Sequence, residues 1–338
     1  MSIPRTAVMV GNDQYCYEAR DDWAQLPTGW SFGEVVGVAA DSRDRVFVYS
    51  RSEHPLTVFD RDGKFLTSWG EGAFVRPHGI HIGLDDSVYL TDDRDHTVRK
   101  FTPEGKLLLT LGTHGVASDS GVENSDYRTI KRPAGPFNQP TNLALAPDGS
   151  MYITDGYGNC RVHKFSSDGR LLFSWGEPGD GPSQFHLPHG IAVDRESRVY
   201  VADRENSRVQ IFDAAGRFLT EWRDVARPTE VFIVEQANGD DLVFISEIGY
   251  RCGLFPGAAT PANPPGSSVS IWTRNGKLLC RWGGGPDPCA TGNLFAAHDI
   301  WVDSHDDIYV SEVTLSAGGN RGAVPPTCHT LQKFIRLR

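Results

Sequence analysis

The stretch "LPHGIAVDRESRVYVADRENSRVQIFDAAGRFLTEW", Leu187–Trp222, decides the fold. It holds three short, β-branched runs, "GIAVD", "RVYVAD" and "RVQIFD", and closes on "GRFLTEW". Runs of this length, separated by turn residues such as "DRES" and "DAAG", read as four strands of an antiparallel meander. The unit recurs. Further copies begin near Val36, His78, Thr141, Thr229 and His298, and fourth strands end on "FLTSWG", "LLLTLG", "LLFSWG" and "LLCRWG". Four-stranded units repeated about an axis are the blades of a propeller. Six copies predict an all-β, six-bladed β-propeller, with residues 1–338 as one domain. The last copy, ending in "TLQKFIRLR", lacks a fourth strand. The N-terminal "YCYEARDDWAQLP" is expected to supply it, closing the ring and removing an exposed edge.

At the start of the innermost strand the copies alternate. His78, His189 and His298 occupy that position in every second copy, and Val36, Thr141 and Thr229 occupy it between them. In a closed ring of six, alternation places the three imidazoles roughly a third of a turn apart, facing one axis. Three neutral imidazoles with a fourth position open suit zinc, or another divalent transition metal, acting as a Lewis acid or holding hydroxide. One histidine alone would read as a structural or surface group. Repetition at one register is what selects these three, and the other eight histidines lack it.

Loop lengths point to the same face. The turn-rich connections "APDGS", "SSDGR" and "TRNGK" are short, whereas residues 113–138, 248–266 and 313–327 are long insertions. In a meander the long connections emerge where the innermost strands begin, so they are expected to wall a pocket around the histidines. Tyr157, in "TDGYGNCRV", sits at the tip of a loop one residue longer than its counterparts. A tyrosine beside a divalent cation can serve as a general base. Arg51, in "VYSRSEHP", follows Ser50, where the other copies carry an acidic residue, and is expected to be free to reach a substrate anion. Arg204, in "ADRENSR", occupies the equivalent loop and reads either as a second anion-holding group or as ordinary turn chemistry.

Lys plus Arg is 33 against 43 Asp plus Glu, a formal net charge of -10, and no basic stripe interrupts the chain. That balance argues against nucleic-acid and membrane-surface partners. No apolar stretch is long enough to span a bilayer, and "MSIPRTAVMVGNDQ" does not read as a signal peptide. Six scattered cysteines without a CxxC pair read as free thiols. Together these imply a cytoplasmic location and a monomer or weak homo-oligomer.

The blades resemble NHL repeats. Through its three "H(G/D)I" positions, Tyr157 and Arg51, the chain also resembles the lyase domain of the peptidylglycine α-amidating enzymes over essentially its whole length. The stretches "VRPHGI", "FNQPTNLAL", "ITDGYGN" and "SQFHLPHGIAVD" carry the likeness best. The resemblance implies zinc on His78, His189 and His298, an active-site tyrosine at Tyr157, and substrate-positioning arginines at Arg51 and Arg204. It also implies a structural calcium on Asp299, completed by the backbone carbonyls of Val35 and Ile80. The implied activity cleaves the C–N bond of an N-acyl-α-hydroxyglycine, a small carboxylate-bearing substrate, into an amide and glyoxylate. Two features depart from the family. Ala296 stands where it has a methionine, and Asn138 with Gly158, and Tyr200 with Ile211, stand where it has disulfides. Absent disulfides fit a cytoplasmic, bacterial-type relative. A zinc-dependent hydrolase or lactonase, and a non-catalytic NHL module that binds a protein, remain the other readings of this scaffold.

Overall fold

Short β-branched runs joined by tight turns can pair only with their sequence neighbours, and the sheets form in that order. The computed structural model describes residues 7–337, so residues 1–6 and 338 of the expected domain lie outside it. Six sheets surround an axis. Their innermost strands are Val35–Ala40, Pro77–Ile82, Pro140–Leu145, Pro188–Val193, Pro228–Val234 and Ala297–Val302, in blades one to six. Blades one to five are consecutive four-stranded antiparallel meanders. Blade six joins both chain ends: Cys16–Arg20 pairs with Leu331–Arg336, with Tyr17 opposite Arg336 and Arg20 opposite Lys333. Val8–Gly11 then adds a fifth strand outside Cys16–Arg20, which the sequence pattern does not show.

The tryptophans that end the fourth strands lock each blade to the next. Trp69 lies over Gly105 of blade two, Trp175 over Gly216 of blade four and Trp222 over Gly276 of blade five. Each glycine sits in the turn before its own blade's fourth strand with positive φ, and a Cβ on Gly216 would fall 2.9 Å from the Trp175 ring. Where blade two ends in "LLLTLG", Leu109 and Leu111 cover Gly169 instead.

A second repeated tie holds the loops on the histidine face. The carboxylate that ends the second strand accepts hydrogen bonds from backbone N–H groups just ahead of its own blade's innermost strand. Asp92 accepts from Val75 and Arg76, Asp155 from Asn138, Asp203 from His186, Glu247 from Ala226, and Glu312 from Phe295 and Ala296. All five are buried, and five conserved-geometry ties satisfy N–H groups that would otherwise be stranded. Blade one has Ser50 there, and its tie is made with the charges exchanged: Glu34, ahead of the strand, pairs with Arg51 at 2.6 Å. Arg51 is therefore not a free arginine as the sequence suggested.

The cysteines also differ from expectation. Cys289, between blades five and six, is disulfide-bonded to Cys328 at the end of the long blade-six loop, while Cys16, Cys160, Cys252 and Cys280 are free thiols. The two partners are 39 residues apart in sequence but neighbours in space, because the inter-blade segment runs beside that loop. Disulfides persist in oxidising compartments, so the thiol argument for a cytoplasmic location falls away. Among the described residues no helix is long and apolar enough to cross a membrane. The two other positions expected to lack disulfides are neighbours: Gly158 N–H donates to the Asn138 carbonyl at 3.0 Å, and Tyr200 faces Ile211 across two strands.

Two stability predictions follow from these ties. Gly216→Ala should lower unfolding free energy by about 1–3 kcal/mol, measured by urea titration. Gly149→Ala, with a similar φ (+80) but no atom within 3.4 Å, should cost less, since it lacks the tryptophan clash. The second concerns His329, whose Nδ1 lies 2.7 Å from Glu312 Oε1. Burial opposes its charge, yet the Glu312 carboxylate outweighs that and raises its pKa above 6.5. The stabilisation is present below the unfolded pKa and lost as pH rises through the folded one. His329→Gln should flatten that decline in urea midpoints measured across neutral pH.

Candidate metal centre and active site

The three alternating histidines converge. Their ring centroids are 4.8, 4.7 and 4.7 Å apart, and all three side chains are buried. Each is aimed by the next blade. His78 Nδ1 bonds to the Thr141 carbonyl at 2.8 Å, His189 Nδ1 to the Thr229 carbonyl at 2.8 Å, and His298 Nδ1 to the Val36 carbonyl at 2.7 Å. A carbonyl can only accept, so each Nδ1 carries the proton and each Nε2 presents a lone pair. Burial, reinforced by nearby positive charge, holds all three well below the usual imidazole pKa, so they are neutral at physiological pH. His78 Nε2 is buried with no hydrogen-bond partner. Neutral imidazoles oriented from behind, with ligand atoms within 4.8 Å of one another and one of them orphaned, fit a divalent metal.

The alternation is matched by a hydrogen-bonding pattern visible only in three dimensions. The odd blades' residues at the histidine position are the acceptors that orient the histidines. Thr141 and Thr229 do more: their hydroxyls donate to the carbonyls of Pro188 and Ala297, the residues just before His189 and His298.

Tyr157 stands beside the three histidines. Its hydroxyl is 3.4 Å from His189 Nε2 and accepts from Arg204 Nη1 at 3.1 Å, and its ring lies edge-on to His78 at 5.3 Å. Arg204 is buried against Tyr157 and pairs with Glu205 at 2.8 Å. Arg51, held by Glu34, also donates to the Pro77 carbonyl at 3.0 Å, beside His78. Tyr157 and Arg204 border a cavity of ≈ 220 Å³ with His298 at its floor and Arg76 also on its side, whereas Arg51 is not among its lining residues. Ile248, Leu254 and Phe255 of the blade-five loop and Val313 and Ala317 of the blade-six loop form an apolar wall. Of the three loops that the sequence marked as long, 248–266 and 313–327 line the cavity, and 113–138 does not.

Several of these residues escaped the sequence reading. Arg76 lines the cavity and is paired with Asp93. Glu34, Arg76 and Arg227 all stand two residues ahead of the position held by Val36, His78 and Thr229, and Arg51, Asp93, Arg204, Ile248 and Val313 all directly follow the residue that ends the second strand. Those two repeat positions form the rim, and reading them across all copies would have found the set.

The residues named for calcium lie one layer further down the axis. Asp299 is buried and accepts from the N–H groups of Ile300 at 2.7 Å and Val38 at 3.2 Å. Ile80 and Asp299 both approach Gly37, and Val35 is two residues away on that strand. Burial pushes the Asp299 carboxyl up to about 8, and burial with the Asp299 charge raises Glu230, a buried carboxylate that the sequence reading missed. Two carboxylates that resist ionising together suit a hard cation.

Fold and centre together define a six-bladed propeller with an axial three-histidine site. The NHL repeat family model matches residues 185–212, within blade four and the segment leading into it. The chain is 33% identical over 231 residues to NHL repeat-containing protein 3 of Homo sapiens, covering 64% of this chain and 63% of that one. It is 30% identical over 267 residues to peptidyl-alpha-hydroxyglycine alpha-amidating lyase 1 of Drosophila melanogaster, covering 74% of this chain and 45% of that one. The chain thus spans less than two thirds of the length of either relative. A streptogramin B lyase structure shares the fold, with a TM-score of 0.58 and 9% identity over 95% of this chain and 98% of that one. The chain is a six-bladed NHL-type propeller that resembles the peptidyl-α-hydroxyglycine α-amidating lyases.

Protein purified without chelators or a histidine tag should carry about one divalent transition metal per chain, by elemental analysis. His189→Ala should lose most of it.

Proposed function

We propose that this protein is a metal-dependent carbon–nitrogen lyase that converts N-acyl-α-hydroxyglycine-like substrates to an amide and glyoxylate. The observation that carries this reading is the Tyr157 hydroxyl, held between His189 Nε2 and Arg204 at the mouth of the three-histidine centre. A divalent cation, zinc in this reading, supplies a Lewis acid when bound by His78, His189 and His298.

The chain's own groups do the rest. Arg204 donates to the phenolic oxygen, which fixes that oxygen at the site and supports negative charge on it. Tyr157, acting as the phenolate, takes the proton of the substrate's α-hydroxyl as general base. Collapse of the oxyanion to an aldehyde then expels the amide nitrogen, which receives the proton back, so Tyr157 ends as it began. Arg204 and Arg51, with Arg76 beside them, hold the carboxylate. Each is fixed by an acidic partner (Glu205, Glu34 or Asp93), which sets the angle of its planar fork. The apolar wall receives the acyl group and keeps water from the reacting centre. The pair of buried carboxylates below the histidines supports a structural calcium on Asp299, with the carbonyls of Val35 and Ile80 as the other protein ligands.

Incubation of the metal-loaded protein with N-acyl-α-hydroxyglycines, esters and lactones tests the reaction class. Glyoxylate and amide in equal amounts are expected. Turnover of esters or lactones alone would assign a hydrolase instead. Tyr157→Phe should lower kcat by about 10²–10⁴-fold with metal content unchanged, and full activity in that variant would remove the base assignment.

A further inference from the structure

Arg227 sits at the blade-five rim position where blades three and four carry Gln139 and Leu187, so the repeat itself does not require an arginine there. Its guanidinium is buried and spends all five N–H groups. Nη1 donates to the carbonyls of Gly249 at 2.8 Å and Cys252 at 3.0 Å, and Nη2 to that of Gly253 at 2.9 Å. The remaining two reach Glu205, at 2.8 and 3.2 Å. Gly249, Cys252 and Gly253 belong to the blade-five loop whose Leu254 and Phe255 wall the cavity. Glu205 Oε1 also accepts from Arg204 Nε at 2.8 Å, and Arg204 bonds to Tyr157. One unbroken line of charged groups thus runs from the loop through Arg227, Glu205 and Arg204 to the tyrosine.

We propose that Arg227 and Glu205 are positioning residues that fix the blade-five loop and Tyr157 in one geometry, so that the acyl-binding wall and the proton acceptor are set together. Neither residue touches the metal site. Without Arg227 three loop carbonyls lose their donor, and Glu205 loses the partner that anchors it to the loop, so the Glu205–Arg204 pair is free to shift. A buried pair broken on one side is costly, and a misplacement of about 1 Å at a reacting group can cost about 10²-fold in rate.

This inference rests on the lyase reading for its kinetic part, but its structural part does not. Hydrogen exchange of the metal-loaded protein should show residues 248–266 exchanging about tenfold faster or more in Arg227→Met, with the blade strands unchanged. Unchanged exchange in the loop would overturn the clamp, whatever the protein catalyses. For the kinetic part, Glu205→Gln keeps the clamp on the carbonyls while weakening the link to Arg204, and guards against misfolding of Arg227→Met. Both variants should lower kcat about tenfold or more in the Tyr157 background and much less in the Tyr157→Phe background. An equal fold-loss in both backgrounds would show that the pair does not act through the tyrosine. Arg227→Lys, which keeps the charge beside Glu205, should recover part of kcat but retain a raised KM. Absence of any glyoxylate from the unsubstituted protein would remove the lyase reading and leave the exchange result to decide the clamp.

Discussion

The site depends on three hydrogen bonds that each cross a blade boundary, from a histidine Nδ1–H to the carbonyl at the equivalent position of the next blade. They fix the tautomer and aim three lone pairs at the axis, with the backbone of each odd blade as the acceptor. Burial keeps the rings neutral. A ring of six with a donor in every second blade is therefore a consistent hydrogen-bonding scheme as well as a ligand set. The threonine hydroxyls of blades three and five extend it, by bonding the residue before the next histidine.

Above this layer the rim repeats a simpler device. A second-strand carboxylate holds the backbone ahead of its own innermost strand, and in some blades an ion pair of side chains crowns the tie. Where the crown is ionic, in blades one, two and four, it presents arginines to the cavity or its edge, each oriented by a carboxylate. In blades five and six the residue after the second strand is apolar, and Ile248 and Val313 there begin the long loops that wall the other side. The cavity thus has arginines at Arg76, Arg204 and Arg321 and an apolar wall from the blade-five loop, a lining that suits a substrate with a carboxylate and an acyl group.

The fold was legible because each blade repeats the same short strands and turns, and because "FLTSWG"-type endings mark where one blade packs on the next. The histidines were legible because they share one register. Arg51 was misread because the exchange of charges with Glu34 is a contact between residues 17 apart, and neither residue alone signals the other. The Cys289–Cys328 disulfide was missed for a related reason: only the folding of an inter-blade segment against a long loop brings the pair together. Arg227 and Glu205 look like turn residues until the loop carbonyls they hold are seen. Regular repeats announce themselves in sequence, whereas irregular loops become readable only once the repeats have placed them.

X-ray absorption at the metal edge of the zinc-loaded protein tests the centre most directly. Three imidazole nitrogens and one further light atom at about 2.0–2.1 Å, with one imidazole lost in His78→Ala, is the predicted spectrum. Fewer than three imidazoles, or a sulfur scatterer, would contradict the three-histidine centre on which the account is built.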